Sequence, residues 1–264
     1  MRLVFLLIPL AMAAAKPASA QLQAPNGDGV AMGQVHLTVR DVDGSQRFFA
    51  LLGGKPVVNG SLRMVEFPGL YVVLARGEPG GGTVGSSINH FGFLVRNMKD
   101  WLEKWQAAGV RMEPMNRATQ VYLLAPGDVR IEILEEPTLD TPIAGHHIHF
   151  ATADIPATQA WYAKTFGAVP GKRAQFVAAD LPGINLTFSA SNGTVAPTRG
   201  RALDAVGFEV RDLRRFVARL ESAGVRMDQA PHGIARTTVT EASFTDPWGT
   251  TIRLTQGLAP PARR

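Results

Sequence analysis

A fourfold internal repetition constrains this 264-residue chain more than any other feature. A strand-like run, a closing polar residue, an amphipathic stretch and a glycine recur as GQVHLTVRDVDGSQRFFALLGG from Gly33, NHFGFLVRNMKDWLEKWQAAG from Asn89, HHIHFATADIPATQAWYAKTFG from His146 and LDAVGFEVRDLRRFVARLESAG from Leu203. Aligned on the polar residues Asp41, Asn97, Asp154 and Asp212, the position seven residues earlier holds Gln34, His90, His147 and Ala205. The frame is kept while a side chain able to bind metal changes from copy to copy.

The repeat is a doubled doublet. Copies one and three share aromatic pairs, Phe48 with Phe49 and Trp161 with Tyr162, and a later Pro-Gly turn at Pro68-Gly69 and Pro182-Gly183. Copies two and four share Ala-Gly-Val-Arg-Met, from Ala108 and from Ala223. A period of roughly 57 residues exceeds most solenoid units, so four copies predict two paired domains rather than an array. The stretch 135–145, broken by Pro137, Pro142 and Gly145, divides the doublets and sets their expected bounds at 31–136 and 145–257.

Within copy two, His90 opens a β-rich run, and Met98, Trp101, Leu102 and Trp105 follow helical spacing up to a stop at Gly109. Three short strands are expected at 110–115, 119–125 and 129–134, separated by turn signals at Pro114 and at Pro126-Gly127-Asp128. Copy four repeats the scheme, and 77–87 and 189–201 read as linkers inside each doublet.

Residues 1–20 read as a secretory leader. Arg2 supplies the positive start, 3–15 the short apolar run and Ala18-Ser19-Ala20 the cleavage pattern, which predicts a mature start at Gln21 and a periplasmic or secreted location. Lys16 and Pro17 keep the run shorter than the about 20 apolar residues of a membrane span, and no membrane association is expected once the leader is removed. The chain has no cysteine, which excludes thiol chemistry and leaves stability to the core. Of the formal charge of +5, Arg2 and Lys16 belong to the leader, and Arg63, Arg111, Arg173 and Arg236 are scattered. That distribution predicts a solvated surface and no nucleic-acid partner.

The strand-polar-helix openings and the endings Ala125-Pro126-Gly127-Asp128-Val129-Arg130-Ile131-Glu132 and Asp246-Pro247-Trp248-Gly249-Thr250-Thr251-Ile252-Arg253 resemble the vicinal oxygen chelate superfamily of glyoxalases, extradiol dioxygenases and bleomycin-resistance-type binding proteins. The resemblance covers about residues 31–257. It implies an α+β fold of four βαβββ modules, arranged as two paired glyoxalase-like domains whose curved sheets enclose a cup. It further implies a divalent metal, such as Zn, Fe, Mn or Ni, held by first-strand residues and a last-strand carboxylate. Counted six residues past the turn proline, that carboxylate position falls on Leu74, Glu132, Phe188 and Arg253.

The ligand set the resemblance implies is thus Gln34, His90 and Glu132 in the first doublet, with Glu132 also the group placed to move a proton. Leu74 occupies the place of a fourth, glyoxalase-type ligand, so the three-ligand dioxygenase arrangement is the better match. His147 stands in the ligand position of the second doublet, but its expected partners there are Ala205 and Arg253, which do not bind metal. His36 and His149, two residues beyond Gln34 and His147, share their strand face and are expected to contact substrate, with His36 also an alternative ligand to Gln34. His147 and Arg253 complete the expected substrate contacts. Arg253 either receives an anionic ligand group or forms an internal salt bridge. His149 and His232 also fit hydrogen-bonded structural roles, and the aromatic pairs fit the core.

Two functions follow from this reading. One is a metal-dependent enzyme, a lyase or isomerase or a dioxygenase, acting as a monomer or homodimer on a small molecule with adjacent oxygens. The other is a metal-free protein that binds or sequesters a small aromatic or anionic compound. Export argues against a glutathione-dependent role, and no Gly-x-Ser-x-Gly or His-Glu-x-x-His signals a hydrolase.

Overall fold

A computed structural model describes residues 22–191 and 193–258; the leader and its cleavage point lie outside the described residues. The first module comprises β1 (Val30–Val39), α1 (Val42–Leu51), β2 (Lys55–Asn59), β3 (Leu62–Phe67) and β4 (Leu70–Arg76). The second has β5 (Ile88–Val95), α2 (Met98–Ala107), β6 (Gln120–Ala125) and β7 (Val129–Glu135). The third has β8 (Ile143–Thr152), α3 (Ile155–Phe166), β9 (Val169–Arg173), β10 (Phe176–Leu181) and β11 (Ile184–Ala190). The fourth has β12 (Leu203–Val210), α4 (Leu213–Ser222), β13 (Met227–Gly233), β14 (Thr240–Thr245) and β15 (Thr251–Gln256).

The recurring polar residue is a helix cap. Asp41, Asn97, Asp154 and Asp212 each accept a hydrogen bond from the backbone N–H three residues on, which satisfies one of the free donors at the helix start. The recurring glycine follows the helix with positive φ, at Gly53, Gly109, Gly167 and Gly224, where side chains other than glycine are strained. The strand expected at 110–115 does not form as a named element. Met112 makes a single bridge to Leu123, flanked by the Leu124 N–H donating to Arg111 and the Glu113 N–H donating to Tyr122, and the pairing stops at Pro114.

The sheets do not follow the expected domain bounds. One sheet runs β13-β14-β15-β12-β1-β4-β3-β2 and joins the fourth module to the first; the other runs β6-β7-β5-β8-β11-β10-β9 and joins the second to the third. The division into 31–136 and 145–257 is therefore corrected: each cup takes one module from either side of residue 140. Residues 136–142 leave β7 and enter β8 directly, and β8 lies antiparallel against β5, with Gly92 opposite His147. β1 is left to find its antiparallel partner in β12, with Gln34 opposite Gly207.

Strand alternation sends one face of each sheet into a shared core and the other into a cup. Ile148 and Phe150 of β8, Ile131 and Ile133 of β7, and Ile252 and Leu254 of β15 are buried in the core with Trp105, Phe166, Phe208 and Phe244. Phe49 and Tyr162 of the repeated aromatic pairs are also there, and the Tyr162 hydroxyl donates to Asp246 Oδ2 at 2.8 Å, pinning the Asp-Pro-Trp-Gly turn of the fourth module. His147, His149, Glu132 and Arg253 are on the opposite, cup-facing sides of the same strands.

Candidate metal centre

The inner sheet gathers side chains able to bind a metal. β5 carries His90, its antiparallel neighbour β8 carries His147 and His149, and β7, parallel to β5, carries Glu132 opposite Gly92. Gly92 has a steric role: a Cβ there would overlap the His147 ring, so glycine alone lets the imidazole lie across the neighbouring strand. His90 Nε2 and His147 Nε2 stand 3.1 and 3.0 Å from the same carboxylate oxygen, Glu132 Oε2. Ring nitrogens of His90, His147 and His149 lie within 4.8 Å of one another. All of these side chains except His149 are buried, and His149 is nearly so.

Proton placement tests whether this set suits a metal. Arg130 only donates, so the Asn89 atom 3.1 Å from its Nη1 is the carbonyl oxygen. That oxygen also lies 2.9 Å from His90 Nδ1, which must then carry a proton. Burial first, and then the His147 and Arg130 charges, hold His90 down to about 4 against the opposing pull of Glu132, so the ring has no second proton at neutral pH. Nε2 thus presents a lone pair to a carboxylate oxygen at hydrogen-bond distance. A cation between them removes that repulsion, and one carboxylate with imidazole nitrogens is a suitable donor set for a divalent transition metal.

The partners around the set hold it in place. Burial alone would raise the Glu132 pKa, but the neighbouring imidazoles, the His147 hydrogen bond first, outweigh it and keep the carboxyl well below its usual range. Gln120 donates to the other carboxylate oxygen. Arg173 donates to His146 Nε2 at 3.0 Å, and His146 Nδ1 meets His147 Nδ1 at 2.9 Å, orienting the His147 ring. Arg130 is held by both oxygens of Glu113 and stacks 3.6 Å over the ring of Tyr122, whose pKa is pushed up to about 12 by burial and then by Glu132. His149, held down to about 3 by burial and then by His90 and His147, bonds Ser189 Oγ at 2.6 Å. A cavity of about 250 Å³ opens onto Glu132, His149, Tyr122, Gln120 and Phe176.

Two of the three expected ligands, His90 and Glu132, are therefore together, and the third is not Gln34. Gln34 and His36 lie on β1 in the other sheet, with Arg253 on β15. His147, expected beside Ala205 and Arg253, is instead the neighbour of Glu132. Arg253 makes the internal ion pair, with Glu241 at 2.6 Å and Asp204 at 3.6 Å. The positions matching Glu132 in the first and third modules are also one residue off. The β3–β4 and β10–β11 turns hold only Pro68-Gly69 and Pro182-Gly183, whereas the β6–β7 turn holds three residues, so the cup-facing counterparts are Val73, opposite His36, and Thr187, opposite His149. Leu74 and Phe188 point into the core, as a one-residue slip along a strand requires. His232 is exposed and bonds its own strand at Ala230. Asn89, Gln120 and His146 were not foreseen; the His146-His147 doublet was their one visible signal.

The Glyoxalase/Bleomycin resistance protein/Dioxygenase superfamily matches residues 31–254. Glyoxalase I from Zea mays is similar in structure, with a TM-score of 0.66 and 15% identity over 86% of this chain and 92% of that one. A Bacillus subtilis protein described as a candidate dioxygenase has a TM-score of 0.67 and 14% identity over 91% of this chain and 87% of its own. At these identities the likeness concerns the fold. No curated protein matches the chain by sequence.

Proposed function

We propose that this chain, which belongs to the Glyoxalase/Bleomycin resistance protein/Dioxygenase superfamily, is an exported, metal-dependent enzyme that acts on a small molecule presenting two adjacent oxygens. The observation that carries the reading is the convergence of His90 Nε2 and His147 Nε2 on Glu132 Oε2 inside a buried cup. Two imidazoles and one carboxylate on one face are the donor set of non-haem iron oxygenases, and Zn, Mn and Ni also accept such donors. When bound, a divalent ion supplies Lewis acidity to chelated oxygens.

The surrounding side chains favour oxygenation over isomerisation. A glyoxalase-type proton shift between carbons calls for a carboxylate free to carry it, but Glu132 is taken up by two histidines and Gln120, and Thr187 occupies the facing position. His149 lines the cavity with Ser189 behind it, its neutral ring placed to hydrogen-bond a diol hydroxyl. Tyr122 and Phe176 give the cavity aromatic walls suited to a planar ring.

Metal analysis of chain purified without chelator, together with oxygen uptake on a panel of catechols, tests the reading. About one metal ion per chain and catechol-dependent uptake are expected. Metal-free protein, or turnover of the methylglyoxal–glutathione adduct without oxygen uptake, would overturn it. Export rests on the leader pattern; mass spectrometry of protein from an expressing bacterium should find a periplasmic chain beginning at Gln21. An intact Met1 in the cytoplasm or membrane contradicts it.

A further inference from the structure

The outer sheet builds a second cup on the same plan. Gln34 faces Gly207 as His147 faces Gly92, Ala205 stands for His90, and Arg253 stands for Glu132. A Cβ at Gly207 would overlap the Gln34 side chain, so the same close strand crossing recurs here without the histidine and carboxylate. The cup has not collapsed. It encloses about 320 Å³ against Gln34, His36, Val73, Glu241, Arg253 and Leu258. Its mouth is narrowed where the β2–β3 turn meets the β13–β14 hairpin: Ser61 donates to the Ala235 carbonyl from its backbone N–H at 3.3 Å and its hydroxyl at 3.0 Å.

The charges in this cup do not balance. Arg253 is matched by Glu241 at 2.6 Å and again by Asp204 at 3.6 Å, leaving one carboxylate in excess. Glu241 is buried, and Asp204 is fixed by the Gly200 N–H at 2.7 Å. His36 does not supply the missing positive charge. Its Nδ1, 3.7 Å from Asp204, has no hydrogen-bond partner among the described residues, and burial, followed by the Arg253 charge, holds the ring down to about 3. Arg253 Nε has no hydrogen-bond partner among the described residues, but an anion reaching it would lie beside Glu241 and Asp204, which already hold Nη1 and Nη2, whereas a cation completes the set.

We propose that the second cup is a metal-independent binding site for a small organic amine, its ammonium against Glu241, with Asp204 adding its charge from beside Arg253 and His36, and its apolar body against Val73 and Leu258. The proposal is independent of the chemistry assigned to the first cup.

Chelator-treated protein at pH 7, titrated with benzylammonium, benzoate and benzyl alcohol in saturation-transfer NMR and calorimetry, tests it. Benzylammonium should bind saturably and about tenfold tighter than either other probe, with no change in His90→Ala. Glu241→Gln, close in shape to the native side chain, should weaken it about tenfold, and Val73→Phe, which fills the cup, should abolish it. Thermal melts establish that each variant is folded, and should Glu241→Gln unfold, Val73→Phe decides. Absence of saturable binding, benzoate binding as tightly as the amine, or amine binding lost in His90→Ala but kept in Val73→Phe would each overturn the proposal.

Discussion

His90→Ala, His147→Ala and Glu132→Ala are each expected to weaken metal binding by at least about 100-fold, while Gln34→Ala leaves it unchanged. Each of the first three removes one of the donors that meet at a single point, and changes even to residues behind metal ligands cost about 10- to 100-fold. Asn89→Ala should fall in that smaller range, because it frees the His90 ring to turn its proton toward Glu132. Competition for zinc against a chromophoric chelator measures all five proteins without any need for a substrate. A Gln34→Ala protein as deficient as His147→Ala would contradict the pairing of the second module with the third.

The metal-free chain should lose stability steeply between pH 6.5 and 4. His36 and His90 are buried and held down to about 3 and about 4, so below pH 6.5 the unfolded chain takes up protons that the folded chain refuses. Stability therefore falls as pH falls, by up to about 1.4 kcal/mol per pH unit for each fully buried imidazole. Glu132 adds to the loss below about pH 4.5, because its folded pKa is lowered and its contribution is present only while the unfolded carboxyl would also be ionised. A loss on the order of 5 kcal/mol between pH 7 and pH 4 is expected from the two imidazoles after allowing for relaxation. Urea midpoints at pH 7, 6, 5 and 4 measure it, and His36→Gln should flatten the profile but leave most of the loss, because burial holds His90, His146 and His149 down as well. A level profile would mean that these rings are charged or solvated in the folded protein.

How much of this was legible in the sequence depended on whether the determinant was local. Asp41, Asn97, Asp154 and Asp212 cap their own helices, and Gly53, Gly109, Gly167 and Gly224 end them, so the module frame could be read within each repeat. His90 and Glu132 sit on adjacent strands of one module, and their partnership was readable for the same reason. His147 stood out as a ligand, but its partners depend on which strand β8 lies beside, and nothing in the repeat distinguishes a β5–β8 pairing from a β8–β12 one. Leu74 and Phe188 were misplaced because the β3–β4 and β10–β11 turns are one residue shorter than the β6–β7 turn, a small difference that exchanges core and cup.

The joining of the first module to the last sets the order in which the chain can be completed during synthesis. Everything in the inner sheet is contiguous from Ile88 to Ala190, so that cup can close as soon as this stretch has left the ribosome. β1 emerges early yet must wait for β12, with Val30 paired to Val210, and until then its hydrogen-bonding edge is bare. A bare strand edge is a template for pairing with another chain. Products truncated before Leu203 would therefore carry a finished inner cup beside an open, aggregation-prone sheet, and the outer cup would be the last part of the molecule to exist.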